Sequence, residues 1–412
     1  MRGFAGLTMG LAAAGLTAAA GAAADRLSRD RRTAIALDQS QETGVRRYTA
    51  TPDEEHVVYA TDGVPLHVEV DYPRQEPPEP RPTVVMTHGF CLHLTSWVFQ
   101  RRALRDAGYR VVLWDLRGHG RSGSAERDSY HVDQLGRDLA RVIEEVVPEG
   151  PIVLVGHSMG GMTMMSLALE YPDLIRDRVV GAAFIATSSS RIAELQIGLG
   201  SLGRFVYGMG PTATGTLAER QGLVDGAVRA SRDVVEFLVD RGSFGSPVPL
   251  SIAQLTTDMI FSTRMSVISA FIPHFDKHDK REALATYDGI ETLVLVGTAD
   301  RLTPPSHSEE LVRLLPGAEY VVVNDAGHVI MLEHPELLSE QILEMIGRAE
   351  RAAIEHSAPR RNVVRRTVTD IQSQSRAAEV VRSLGQRGWS RGTVGSPGRH
   401  QQASDSGHER DT

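Results

Sequence analysis

A serine set between two glycines, Gly156-His157-Ser158-Met159-Gly160, follows the apolar run Pro151-Ile152-Val153-Leu154-Val155 and precedes a helix-like segment over residues 162–171. A chain that leaves a buried strand and enters a helix within so few residues has to turn sharply. Glycines fit where the backbone doubles back, and the turn lifts the serine hydroxyl out of the sheet. Ser158 is therefore a candidate nucleophile. The pentapeptide alone also describes an ordinary glycine turn; the strand before it and the helix after it favour the nucleophile elbow.

A serine hydroxyl attacks a carbonyl only if a base takes its proton and a carboxylate holds that base in the right tautomer. Both partners follow in the chain. The strand-like run Glu291-Thr292-Leu293-Val294-Leu295-Val296 leads through Gly297-Thr298-Ala299 to Asp300, and Tyr320-Val321-Val322-Val323 leads through Asn324-Asp325-Ala326-Gly327 to His328. Each lies just past a strand end, on the rim where the loops of a parallel sheet converge on a ligand. A helix N-cap ahead of Pro304-Pro305 is the plain alternative for Asp300, and a satisfied core histidine that for His328. Asp325 competes as the acid, but three residues before His328 on the same loop it reads as a turn former.

The charge of a tetrahedral intermediate needs preorganised donors. The N–H of Met159, directly after the serine, is one; the second is expected from the N–H of Phe90, since the apolar run Thr83-Val84-Val85-Met86-Thr87 ends in His88-Gly89-Phe90. Cys91 has no acid–base pair organised around it and reads as a small structural thiol.

Taken together, His88-Gly89-Phe90, the segment Asp115-Leu116-Arg117-Gly118-His119-Gly120-Arg121-Ser122, Gly156 to Gly161, Gly297 to Asp300 and Gly327-His328 resemble the α/β-hydrolase superfamily, in its capped serine-hydrolase branch. The resemblance covers residues 54–352. It implies Ser158 as nucleophile, His328 as base, Asp300 as acid and the Phe90 and Met159 amides as oxyanion donors, with the Asp115 to Ser122 turn structural. Dehalogenases and epoxide hydrolases of the superfamily attack with an aspartate where this chain has Ser158, and dehalogenases carry a halide-binding tryptophan where it has Met159. His157 fits the esterase and lipase side better than the carbon–carbon bond hydrolases. The implied activity is hydrolysis of carboxylic esters, lipid or acyl esters in particular, through an acyl-enzyme. A cofactor-free haloperoxidase or perhydrolase, a thioesterase or a carbon–carbon bond hydrolase would use the same triad, and a non-enzymatic ligand receptor would use the same fold.

The expected fold is α/β: a mostly parallel sheet with helices on both faces, formed by residues 54–187 and 289–352, with a helical cap at 188–288. Residues 57–59 and 66–70 read as a hairpin around Thr61-Asp62-Gly63. Phe205, Met209, Met259, Phe261, Met265 and Phe271 are cap residues expected in its core or on the pocket wall. A chain of 412 residues, 41% hydrophobic, can bury such a domain, and a net charge of −8 with no basic, aromatic-rich surface motif points away from nucleic acid. The lone cysteine excludes an internal disulfide. No cofactor site and no metal site is expected; His274 and His278, four apart, lack a third ligand and read as surface residues.

The two ends fall outside this domain. Residues 3–24 carry no charge and end in Ala22-Ala23-Ala24, as a signal peptide does, and are long enough for a single membrane anchor. Fifteen of these 22 residues are alanine or glycine, which weakens either drive. The expectation is an exported or membrane-associated protein, a cytoplasmic one being the alternative, with residues 25–53 as linker. Residues 357–412 are polar, carry ten arginines against five acids, and read as a disordered tail.

Overall fold

The computed structural model describes residues 30–38, 48–192, 242–355 and 364–390. Residues 1–24, the glycine-rich part of the expected cap and Phe205 and Met209 lie outside them. No helix among the described residues is long and apolar enough to cross a membrane.

Nine strands form one sheet: β1 (Glu54–Tyr59), β2 (Pro65–Asp71), β3 (Thr83–Thr87), β4 (Val111–Trp114), β5 (Ile152–His157), β6 (Val179–Ile185), β7 (Glu291–Gly297), β8 (Glu319–Val323) and β9 (Val364–Val368). They lie in the order β1-β2-β4-β3-β5-β6-β7-β8-β9. The hairpin β1–β2 and the β2–β4 pair are antiparallel; every later pair is parallel.

Alternation along the central strands divides the core. On β5, Ile152 and Leu154 face one cluster and Val153 and Val155 the other; on β7, Val294 and Val296 oppose Leu293 and Leu295 in the same way. Successive side chains of a strand point to opposite faces, so continuous apolar runs require helices on both. The first face is covered by α2 (Val132–Val146) and α3 (Met159–Glu170), the second by α1 (Val98–Asp106) and α9 (Pro335–Glu355). Further helices are α4 (Pro172–Arg178), α5 (Leu250–Ser262), α6 (Met265–Phe275), α7 (Pro305–Leu314), α8 (Ile330–Glu333) and α10 (Ile371–Ser390), and residues 30–38 are also helical. Between β6 and β7, the described residues 242–288 hold α5, α6 and a 3-10 segment (Arg281–Tyr287), joined by short loops.

From β3 the chain steps to β4 on one side, and β5 then forms on the other side of β3. This reversal of strand order opens a crevice beyond the carboxyl ends of β3 and β5, where α/β sheets bind ligands. His88-Gly89-Phe90 and Ser158 follow those two ends.

Three expectations are corrected. Residues 364–390, read as part of a disordered tail, form β9 and α10. The sheet edge accepts β9 through backbone pairing with β8 and ion pairs from Arg366 to Glu319 and Glu344, a docking that carries no apolar period to be seen in sequence. Part of the supposed linker is docked: Tyr48 is buried, and its hydroxyl lies 2.6 Å from that of Ser251. His278 is not on the surface; it is 4% exposed and its Nε2 donates to the carbonyl of Ser188 at 3.0 Å.

Candidate active site

Ser158 closes β5 and caps α3 with φ 51° and ψ −116°. A non-glycine residue held there costs on the order of 1–3 kcal/mol, and it persists only when the surroundings over-determine it. They do. The Ser158 N–H donates to Ile185 (2.9 Å), and its carbonyl accepts from the Gly161 amide (3.0 Å) and the Thr187 hydroxyl (2.6 Å). A Cβ on Gly160 would stand 2.2 Å from the carbonyl oxygen of Thr87, and one on Gly156 would stand 2.6 Å from the backbone of Gly160. Gly160 lets the elbow press against β3, and Gly156 lets the start of α3 fold back over β5.

His328 and Asp300 lie side by side beyond the ends of β8 and β7. His328 Nδ1 lies 2.9 Å from Asp300 Oδ2, with both side chains nearly fully buried. A carboxylate oxygen only accepts, so Nδ1 carries the proton and Nε2 is left as the basic nitrogen. Asp300 also accepts at Oδ1 from the amides of Leu302 and Thr303, each at 2.9 Å, and at Oδ2 from the Thr303 hydroxyl at 2.9 Å. It is thus fixed by its own loop, while Pro304 takes the N-cap of α7. Asp325 is exposed, has φ 57°, and turns the chain; its amide donates to Thr298 Oγ1 at 2.9 Å.

His157 joins this pair to the elbow. Its ring lies 4.8 Å from that of His328, centroid to centroid, and its Nε2 donates to the His328 backbone carbonyl at 2.9 Å. Burial pushes the His157 imidazole well below its usual range, which keeps it neutral. Because His157 is covalently next to Ser158, this bond brings the His328 loop to the serine.

The Gly89 turn closes the other side. A Cβ on Gly89 would meet His157 Nδ1 at 2.6 Å and Ser158 Cβ at 3.1 Å, so only glycine allows the approach that places the following Phe90 amide beside the elbow. His88 sets the turn: its Nε2 accepts from Leu116 (3.0 Å), so Nδ1 is the protonated nitrogen and donates to the Gly89 carbonyl (2.8 Å). Burial lowers His88 to about 3, and it stays neutral. The Phe90 ring packs edge-on against Phe271 and Phe275 of α6. Met159 opens α3, where the first-turn amides have no partner within the helix. Cys91 is buried with its thiol pushed upward by desolvation, consistent with a protonated structural group.

Asp115, in the turn after β4, accepts from the amides of Leu94 (2.8 Å) and Arg121 (2.9 Å), and is occupied in holding that loop. Thr303 and Glu333 also hold these loops. Thr303 has a faint signal in the sequence, a hydroxyl three residues after the acid. Glu333 has none: buried, it accepts from the amides of Gly327 (2.7 Å) and Gly245 (3.0 Å), tying the turn before His328 to the segment that returns from the β6–β7 insertion.

Known proteins resemble this chain in sequence, and solved structures resemble it in fold. The mouse sn-1-specific diacylglycerol lipase ABHD11 is 28% identical over 267 residues, 62% of this chain and 78% of the lipase. The dihydrolipoyllysine-residue acetyltransferase component of the acetoin cleaving system of Pseudomonas putida is 28% identical over 272 residues, 64% of this chain but only 63% of its own length. Mouse epoxide hydrolase 4 is 36% identical over 101 residues, which is 24% of this chain and 28% of that enzyme. Among solved structures, a thermophilic esterase from Thermogutta terrifontis superposes with a TM-score of 0.53 at 24% identity, covering 72% of this chain and 99% of the esterase. A bromoperoxidase from Bacillus anthracis gives 0.56 at 22%, covering 71% and 100%. The alpha/beta hydrolase fold family matches residues 82–335, more than half of the sequence, and the chain belongs to that family.

Proposed function

We propose that this hydrolase cleaves carboxylic esters, lipid or acyl esters in particular, with Ser158, Asp300 and His328 as its catalytic triad. The observation that carries the reading is the Asp300–His328 pair, oriented with Nε2 as base and tied through His157 to a serine in strained backbone geometry. In the first half-reaction His328 Nε2 takes the Ser158 proton as Oγ bonds to the carbonyl carbon. The oxyanion is met by the Phe90 and Met159 amides. His328 then returns the proton to the leaving alkoxide, the alcohol departs, and the acyl group remains on Ser158. Water, deprotonated by His328, attacks the acyl-enzyme in the second half, and the acid leaves with Ser158 reprotonated. Asp300 holds the imidazolium in both halves.

The likeness to a diacylglycerol lipase over most of its length supports an acyl ester. The likeness to an epoxide hydrolase spans only a quarter of this chain and supports less.

The test is turnover of p-nitrophenyl esters from acetate to palmitate by the parent and by Ser158→Ala, with fluorophosphonate labelling of both. The expected result is labelling at Ser158 and loss of turnover in a folded variant. Rates should peak at medium chain length, because each buried methylene contributes roughly 0.8 kcal/mol until the pocket ends. Turnover that persists in pure Ser158→Ala would refute the triad, and an unlabelled Ser158 with tight ligand binding would point to a receptor.

A further inference from the structure

At the antiparallel edge of the sheet, where β2 lies three positions from β5, the backbone register assembles three ligand-type side chains. Glu55 on β1 stands opposite Glu69 on β2, and His67 precedes Glu69 by two residues, so all three share one face. Their ligand atoms lie within 4.8 Å of one another, with His67 Nε2 at 3.8 Å from Glu69 Oε1 and 3.9 Å from Glu55 Oε2. We propose that Glu55, His67 and Glu69 bind a divalent transition-metal ion of the zinc class.

The histidine carries the argument. His67 is 5% exposed, and its Nδ1 lies 3.1 Å from Asp115 Oδ2, which can only accept. Nδ1 therefore holds the proton, and Nε2 presents a bare lone pair to two carboxylate oxygens. Among the described residues it has no hydrogen-bond partner, although it is buried. Such a group is costly to leave unsatisfied, and a cation between the three atoms satisfies it. A carboxylate on the far nitrogen of a ligating imidazole is also the arrangement that fixes the tautomer and raises the basicity of a metal-bound histidine.

Charge agrees. Four carboxylates, Glu55, Glu69, Asp71 and Asp115, face two guanidiniums, Arg101 and Arg121, which leaves two negative charges when the imidazole is neutral. Arg101 engages Glu69 through Oε2 and Asp71, leaving Glu69 Oε1 toward His67. Arg121, 60% exposed, holds Glu55, lies 3.9 Å from Glu69 Oε1, and is the group an ion would displace into water. Ligands about 2.0–2.2 Å from a tetrahedral ion stand roughly 3.3–3.6 Å apart, so the cluster has to contract, and the 45% exposed Glu55 side chain has the freedom to do so. One imidazole with two carboxylates suits zinc or manganese; calcium and magnesium favour all-oxygen sites. The bound ion would clip the β1–β2 hairpin to the turn after β4 that contains Asp115.

Titration calorimetry of the untagged full chain with zinc chloride, after chelator treatment, tests the site, with cobalt(II) absorption reporting the ligand field. One ion per chain is expected. Glu55→Gln and His67→Gln should each weaken binding by at least about 10- to 100-fold, the loss typical even of an outer partner, and Arg121→Ala should tighten it by removing the competing cation. Glu55→Gln, at an exposed position, keeps the test sound if His67→Gln does not fold. Absence of binding at millimolar zinc, affinity unchanged in Glu55→Gln, or equal affinity for calcium would overturn the proposal.

Discussion

His157, the residue before the serine, donates from Nε2 to the backbone carbonyl of His328, 171 positions further along the chain, at 2.9 Å. This bond couples two loops whose relative position determines whether Nε2 of His328 reaches Ser158. His157→Leu removes the donor and leaves a buried carbonyl unpaired, at a cost of about 1–3 kcal/mol in stability. Ester hydrolysis should lose about tenfold or more in kcat with KM little changed, since roughly 1.4 kcal/mol at the transition state is a factor of ten. His157→Gln, which restores a donor, should recover part of the rate; equal losses in both variants would show that the bond does not position His328.

Asp300→Asn should lower kcat by up to about 10⁴, because the amide favours the wrong imidazole tautomer. Asp325→Asn should leave kcat nearly unchanged, as Asp325 is exposed and faces Thr298 and Gln374 rather than His328. Steady-state kinetics on a single p-nitrophenyl ester decides the pair, and the opposite ranking would reverse the assignment.

Arg117 is fully buried and makes paired hydrogen bonds to Asp138 (2.7 and 2.7 Å) and to Asp62 (2.7 and 3.0 Å). Arg117→Met fills part of the volume but leaves the buried Asp138 carboxylate without its cation. The expected loss is about 3–5 kcal/mol, read as a lower denaturation midpoint at unchanged slope. The double variant Arg117→Met with Asp138→Leu should recover much of it.

His278 is lowered to about 4 by burial, and its Nε2 bond to Ser188 only partly offsets that. The unfolded chain binds a proton there below about 6.5, while the folded chain does not until about 4. Stability from this residue is therefore complete above about pH 6.5 and is lost as pH falls toward 4, at up to about 1.4 kcal/mol per pH unit. Denaturation midpoints between pH 6.5 and 5 should fall less steeply in His278→Gln, whose amide still donates to Ser188. An identical slope would place the proton uptake elsewhere, for instance at His119, which burial also lowers to about 4.

Much of this molecule is legible before it is folded. Apolar runs of four to six residues ending in glycine-containing turns mark β3, β5 and β7, because a strand covered on both faces has no polar side to show. The same runs place Ser158, Asp300 and His328 beyond strand ends, and the structure brings Asp300 and His328 into contact there. Strand β9 escaped because the polar sequence around Arg365-Arg366 is docked by ion pairs and backbone pairing at a sheet edge, neither of which leaves a hydrophobic period.

Local sequence thus determined the type of the central elements and which residues follow their strand ends, since both depend on neighbours a few positions away. Tertiary structure alone decided what meets across the chain. Thr303 and Glu333 became legible as positioning groups only once the loops beyond β7 and β8 and the return from the insertion were packed together. His278 turned from a surface residue into a buried neutral one, and Glu55, His67 and Glu69 became a cluster through hairpin register. Long-range proximity depends on strand order and on burial, and the identity of a side chain encodes neither.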